Sequence, residues 1–239
     1  MTTQAMYRDR ARYYDSIYSW KKYDQESREL LDILKRNQKS GGNELLDVGC
    51  GTGEHLTLLS KNYRCTGVDV NSGILGIARK KHPRIKFLKQ DMRRLRVGKK
   101  FDAVVTLFSA IGYLTTRRDL KIAIRKMSDH LKTGGVLIIE PWLEPLTYKA
   151  GLPHIADYKS EDLCLARVNV SRRQGNISIM DMHWLVAEKG KDVSAFVDTH
   201  RMLLTAYEDI LEIMRDADLR SKKITSKTGM RGLLVGVKL

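Results

Sequence analysis

Residues 44–55 read E-L-L-D-V-G-C-G-T-G-E-H, an apolar run followed at once by glycine at 49, 51 and 53. A loop that only turns manages with a single left-handed residue, so three glycines on alternate positions predict that something approaches the bare backbone. An apolar strand before them and a helix after them put the loop at a helix N-terminus, where free N–H groups and the positive end of the dipole face a ligand. The spacing is G-x-G-x-G, not the G-x-G-x-x-G that seats a dinucleotide pyrophosphate. Asp47 lies just before the glycines, and Asp69 ends the next apolar run, C-T-G-V-D-V. A carboxylate at the end of that strand accepts hydrogen bonds from both hydroxyls of a ribose and repels a 2′-phosphate.

Outward from this loop, strands and helices alternate. The pattern predicts a helix over 24–37, strands at 44–48 and 65–70, helices near 54–61 and over 72–81, and a short strand at 85–88. F-D-A-V-V-T-L-F at 101–108 is continuously apolar, as a strand buried on both faces of a parallel sheet must be. A helix over 117–131 then leads through Thr133, Gly134 and Gly135 into V-L-I-I-E. The alternation predicts a doubly wound, Rossmann-like α/β sheet. Beyond Pro141 the texture changes: residues 163–205 alternate with a period of two, with R-Q-G-N at 173–176 and E-K-G-K at 188–191 placed as hairpin turns. A small antiparallel sheet inserted before a last helix (206–217) and two closing strands (219–225 and 231–238) is the expectation. The corresponding division is an N-terminal lid segment over 1–23, a cofactor-binding domain over 24–141 and 206–239, and a substrate sub-domain over 142–205. The lid segment is rich in tyrosine and arginine, among them Tyr7, Arg8, Tyr13, Tyr14 and Tyr18.

Composition narrows the classes. A chain of 239 residues, 42% hydrophobic, buries a sizeable core. No stretch has the roughly 18 apolar residues of a membrane span, and the N-terminus lacks the apolar core of a signal peptide, so the cytoplasm is the expected location. Cys50, Cys65 and Cys164 are odd in number and widely spaced, which argues against a disulfide framework or a zinc site; no metal is expected. The net charge of +15 favours anionic partners, whether nucleic acid or nucleotide-bearing small molecules.

At these residues the sequence resembles the class I S-adenosylmethionine-dependent methyltransferases, which implies a seven-stranded sheet. L-L-D-V-G-C-G-T-G is similar to their first motif, G-V-D-V to the second, Q-D-M at 90–92 to the adenine-binding turn, and T-G-G-V-L-I-I-E to the approach to the fifth strand. The resemblance implies S-adenosylmethionine as cofactor and S-adenosylhomocysteine as product. Gly49 and Gly51 would contact the methionine part, with Asp47 in the same set. Asp69 would hold the ribose, Asp91 the adenine amino group, Met92 the ring through its backbone, and Leu107 a wall of the site. F-S-A-I-G-Y-L (108–114), E-P-W (140–142), A-R-V-N-V-S-R-R-Q-G-N (166–176), M-D-M-H-W-L-V-A (180–187) and M-R-G-L-L-V-G-V (230–237) further resemble the bacterial N,N-dimethyltransferases of dTDP-linked amino-deoxysugars. The segment S-K-T-G-M before Arg231 departs from the glycine- and serine-rich turn of that family.

This closer resemblance implies a small, nucleotide-linked acceptor, positioned by Tyr14 and Tyr18 above the cofactor, by Trp142, and by Arg231 at the diphosphate. His183 and His200 lie in the strands of the insert, and His183 is the expected third catalytic residue beside Tyr14 and Tyr18. A histidine is suited to general-base work, although an amine that arrives unprotonated needs no base. A homodimer is left open. An RNA methyltransferase is the alternative that the basic charge suggests; E-P-W is not the [DNS]-P-P-[YF] tetrapeptide of base amino-methylating enzymes, and no Pro-Cys pair is present.

Overall fold

The structure, a computed structural model, describes residues 5–7, 10–228 and 230–239; Arg8, and the glycine of the segment S-K-T-G-M (Gly229), lie outside the described residues. After the short helix α1 (Tyr14–Ile17) and the longer α2 (Tyr23–Asn37), strands and helices alternate: β1 (Glu44–Val48), α3 (Glu54–Leu59), β2 (Arg64–Asp69), α4 (Ser72–Lys81), β3 (Lys86–Lys89), β4 (Phe101–Thr106), α5 (Arg117–Asp129) and β5 (Leu131–Ile139). Four strands of the insert follow, β6 (Pro153–Lys159), β7 (Leu163–Gln174), β8 (Ile177–Glu188) and β9 (Ser194–Leu203), then α6 (Tyr207–Asp216), β10 (Leu219–Ile224) and β11 (Leu233–Lys238).

The main sheet is seven-stranded, in the order β10-β11-β5-β4-β1-β2-β3. Strands β1 to β5 pair in parallel, whereas β11 runs antiparallel to β5 and β10. From β1 the chain builds outward to β2 and β3 on one side, and β4 then pairs with the other side of β1. The carboxyl ends of β1 and β4 flank that reversal, which is where ligands sit in such sheets. Every residue of β4 is buried, because helices cover both faces. One face packs Leu46, Val104, Ile124 and Met214 together, and the other packs Leu34, Leu56, Leu75 and Val105.

A third apolar cluster joins the N-terminal segment to the insert: Met6, Tyr13, Tyr14 and Ile17 lie against Leu165, Met180, Met182 and Trp184. Polar ties fix the same segment to the main domain. Asp15 accepts from Thr52 Oγ1 (2.7 Å) at the glycine loop and from Lys81 Nζ (3.0 Å) on α4. Glu26 accepts from Lys21 Nζ (2.5 Å) on one oxygen and lies 2.8 Å from His55 Nε2 on the other, with all three side chains nearly excluded from water.

Two details differ from expectation. The inserted sheet has a fourth strand, β6, that alternation beginning at 163 did not reveal. It is an edge strand with little buried surface and opens on a proline, a residue that edges tolerate. The segment at Thr133, Gly134 and Gly135 is not a turn before β5 but an irregularity within it, where pairing shifts between Phe101 and Ala103 of β4. Gly134, at φ +77°, sets its carbonyl to accept from the backbone N–H groups of Lys39 and Ser40.

Candidate active site

A cavity of about 760 Å³ opens over the carboxyl ends of β1 and β4, with the N-terminal segment and the inner face of the insert as its other walls. Its inner half is built on the glycine loop. Gly49, Gly51 and Gly53 all adopt left-handed backbone, at φ +81°, +55° and +83°, a region costly for residues with a Cβ. A Cβ on Gly49 would stand 2.6 Å from the Ala110 methyl, so the bare backbone is required on packing grounds as well. The N–H groups of Gly49 and Cys50 both donate to Val68 O, at 2.7 and 3.0 Å, which pins the loop to the end of β2.

Asp69 is oriented by its neighbours. Gly51 N donates to its Oδ2 (3.1 Å) and Asn71 N to its Oδ1 (2.9 Å), so the carboxylate lines the cavity with lone pairs to spare. Burial raises its carboxyl above the ordinary range, and the backbone donors oppose that rise. Asp91 also lines the cavity, gripped by Arg93 through its backbone N (2.8 Å) and its guanidinium, whose hydrogen bonds hold the carboxyl low. Met92 and Leu107 complete this wall.

Asp47 differs from the other members of its motif. It is buried behind the loop and does not reach the cavity surface, because its β1 position points it beneath the glycines. Its Oδ1 has no hydrogen-bond partner, and burial, then the charge of Asp69, push its carboxyl up to about 7. A glycine cradle that a methyl group would fill, a ribose-competent carboxylate and an orphaned acid beneath the loop fit S-adenosylmethionine, a ligand that carries an adenosine and positive charge. Asp47 would serve that ligand through the loop and its charge, without the direct contact expected of it.

The outer half is aromatic. Tyr14 and Tyr18 stand with ring centroids 4.8 Å apart, and Tyr18 meets Phe108 edge-on at 5.1 Å. Phe108 and Ser109, at φ +50° and +59°, are non-glycine residues in left-handed backbone, a costly arrangement held by its surroundings. Glu140 Oε2 accepts from Phe108 N at 2.6 Å, and Ser109 Oγ donates to Pro141 O at 2.8 Å. Trp142 is fixed through Nε1–H to Ser178 Oγ (2.9 Å), and Arg231 lies over its ring. Arg231 keeps an exposed face, yet the protein packed around its guanidinium lowers its pKa, while the charge of Glu140 opposes the shift.

Tyr14, Tyr18, Trp142 and Arg231 therefore meet at one cavity with Gly49, Gly51, Asp69, Asp91, Met92 and Leu107. His183 does not. It is exposed on the outer face of β8, opposite Val168 and Val197, while Met180, Met182 and Trp184 point inward. With a period of two, an odd-numbered position on this strand cannot share their face. The insert histidines that do line the cavity are His200, directly across from Met180, and His154 of β6. The sequence reading also passed over Tyr7, Tyr113 and Arg167 at this site. The inward alternation of Met180, Met182 and Trp184 was the signal that could have excluded His183.

A methyltransferase domain model matches residues 45–135. The chain is 36% identical over 232 residues to the dTDP-3-amino-3,4,6-trideoxy-alpha-D-glucopyranose N,N-dimethyltransferase of Streptomyces venezuelae, covering 96% of this chain and 98% of that protein. Among solved structures, DesVI of Streptomyces venezuelae superposes with a TM-score of 0.90 at 35% identity, over 97% of this chain and 99% of that one. CalS10, an amino pentose methyltransferase from Micromonospora echinaspora solved with bound S-adenosylmethionine, gives 0.83 at 30% identity over 92% of both chains.

Proposed function

The chain belongs to the S-adenosylmethionine-dependent methyltransferases, and from that premise we propose that it methylates the amino group of a nucleotide-linked deoxysugar. The observation that carries this reading is that the similarity spans the inserted sheet as well as the glycine motifs. The glycine motifs concern the cofactor, whereas the insert forms the outer wall of the cavity where the acceptor would lie. Relatives that cover nearly the whole chain act on amino sugars, which supports a small acceptor over the RNA that the net charge of +15 suggested. Among the described residues no helix is long and apolar enough to cross a membrane, and the same reading puts the enzyme in the cytoplasm.

When bound, S-adenosylmethionine supplies a methyl group on a sulfonium, a leaving group that needs no further activation. What remains for the protein is to hold an unprotonated amine in line with that group and to keep water out. In well-oriented model systems such positioning lowers a barrier by about 7–11 kcal/mol. Asp69 and Asp91 hold the adenosine. Tyr14 and Tyr18 orient the amine by hydrogen bonding. Arg231 takes the diphosphate, for which a planar guanidinium fork is suited, and Trp142 walls the pocket beside it. Met180, Met182 and Met202 give the insert side of the cavity an apolar floor that excludes water and suits a deoxygenated sugar ring.

Binding tests the acceptor assignment independently of turnover. Titration with dTDP alone should quench Trp142 fluorescence and raise the melting temperature of the protein, and a single-stranded RNA should not compete. RNA that displaced dTDP, or dTDP that failed to bind, would overturn the reading.

A further inference from the structure

One chain of hydrogen bonds in the cavity joins residues other than those assigned to the cofactor. Tyr7 Oη lies 2.9 Å from Tyr113 Oη, Tyr113 Oη lies 2.6 Å from His200 Nδ1, and His200 Nε2 lies 3.1 Å from Asp198 Oδ2. Tyr7, Tyr113 and His200 line the cavity, while Asp198 is buried completely. The members come from three separate parts of the chain: the N-terminal segment, the turn after β4, and β9. The N-terminal segment also braces the far end, since Met6 N donates to Asp198 Oδ2 at 3.2 Å. Docking of residues 5–7 therefore both completes the chain and fixes its terminus.

Polarity runs one way along this chain. A carboxylate at Nε2 selects the tautomer that carries its proton there, which leaves Nδ1 as an acceptor for the Tyr113 hydroxyl. Tyr113 Oη can then accept from Tyr7, and Tyr7 Oη can accept from a donor in the cavity. Burial raises the Tyr7 and Tyr113 phenols well above their ordinary value, so neither ionises; a hydroxyl can still pass a proton on while receiving another.

We propose that Tyr7, Tyr113 and His200 form a proton relay that takes the proton from the acceptor ammonium, with Asp198 stabilising the imidazolium. This rests on the amino-sugar reading above. An ammonium N–H bond breaks as Tyr7 gains that proton, the Tyr7 proton passes to Tyr113, and the Tyr113 proton passes to His200 Nδ1. The amine is left neutral with its lone pair free, and the positive charge sits beside Asp198. Transfer of the methyl group then restores a positive charge at nitrogen, and the proton on His200 passes to solvent as product leaves. The need recurs for a second methyl, because the singly methylated product is again an ammonium.

The groups that face His200 are Tyr113, Tyr7 and Asp198, with Tyr14 behind Tyr7 at a ring distance of 5.7 Å. The test is the pH dependence of kcat/KM for a dTDP-3-amino sugar in wild type, His200→Gln and Tyr113→Phe. With the relay, wild type stays level for at least one pH unit below the pKa of the free acceptor amine. Both variants fall about tenfold per pH unit below that pKa and rejoin wild type above it. Profiles that run parallel, with the variants lower at every pH, would overturn the relay and leave the proposed reaction standing. Absence of methylated sugar with wild type, with S-adenosylhomocysteine bound, would overturn both. A second readout needs no turnover: in protein loaded with S-adenosylhomocysteine, the His200 imidazole ¹⁵N signals should shift to imidazolium values when the amino sugar is added. They should not shift with its 3-hydroxy analogue, and signals unmoved by either would overturn the proposal.

Discussion

The Arg231 guanidinium lies over the Trp142 indole, its central carbon 4.4 Å from the ring centroid, while its Nη1 donates to Ser109 Oγ at 3.3 Å. A residue before the last strand is thereby joined to the end of β5 and to the strained turn after β4. The stack holds the fork of the guanidinium flat at the cavity wall, with donors to spare for an anion.

Arg231→Lys keeps the charge and loses the fork and the stack. Hydrogen bonds to charged groups contribute about 1.5–3 kcal/mol, so KM for a nucleotide-linked acceptor should rise roughly 10- to 100-fold with little change in kcat. The same substitution should leave KM for S-adenosylmethionine unaltered. Steady-state kinetics with each substrate varied in turn checks both expectations; equal loss in kcat would place Arg231 at the reacting centre instead.

Gly49→Ala should lose cofactor binding and stability together. Left-handed backbone costs a residue with a Cβ about 1–2 kcal/mol, and the new methyl group would clash with Ala110 at 2.6 Å. At about 2–4 °C per kcal/mol for a chain of this size, the melting temperature should fall by at least several degrees. Calorimetric melting and titration with S-adenosylhomocysteine measure the two losses; an unchanged affinity would show that the loop does not cradle the cofactor.

How much of this site could be read from the sequence follows from the range of the interactions. Gly49, Gly51 and Asp69 serve one strand-to-helix turn and the strand beside it, so their spacing alone declares them. Trp142 and Arg231 were reached only through likeness to a family, since nothing local says that a residue before β11 meets the end of β5. Tyr7, Tyr113 and His200 are brought together by three separate parts of the fold, and their sequence neighbours carry no trace of it. His183 shares the polar face of β8, and the apolar alternation of Met180, Met182 and Trp184 marks the other face as the buried one. Strand β6 escaped notice because, at the edge of the sheet, it buries too little to alternate.

Asp47 should make stability fall as pH rises. Its carboxyl is raised from an unfolded value near 3.9 to about 7, so the folded protein holds a proton that the unfolded chain has lost. Between about pH 4 and 7 the folded state binds more protons, and stability declines with pH. Three units amount to roughly 4 kcal/mol, fully lost above pH 7. Asp47→Asn removes the titration, so denaturant unfolding at pH 5 and pH 8 should show wild type losing more stability than the variant across that interval. Equal losses would mean that Asp47 is already ionised in the folded protein.

Glu26→Ala should destabilise the join between the N-terminal segment and the main domain. Burial alone would raise the Glu26 carboxyl, yet hydrogen bonds from His55 and Lys21 win and hold it low. Its stabilising effect is therefore present above the unfolded glutamate pKa and lost as pH falls below it. Removing one partner leaves Lys21 buried and uncompensated, at a cost of about 3–5 kcal/mol, or roughly 6–20 °C in melting temperature. Thermal melting at neutral pH checks the loss; a shift of a degree or less would show that water reaches Lys21.

The most direct test of the account is mass spectrometry of the purified protein incubated with S-adenosylmethionine and a dTDP-3-amino-3,6-dideoxyhexose. Products heavier by one methyl group and then by two are expected, the first declining as the second grows. An unmodified sugar alongside protein that binds the cofactor would contradict it, leaving the cofactor site intact and the acceptor assignment wrong.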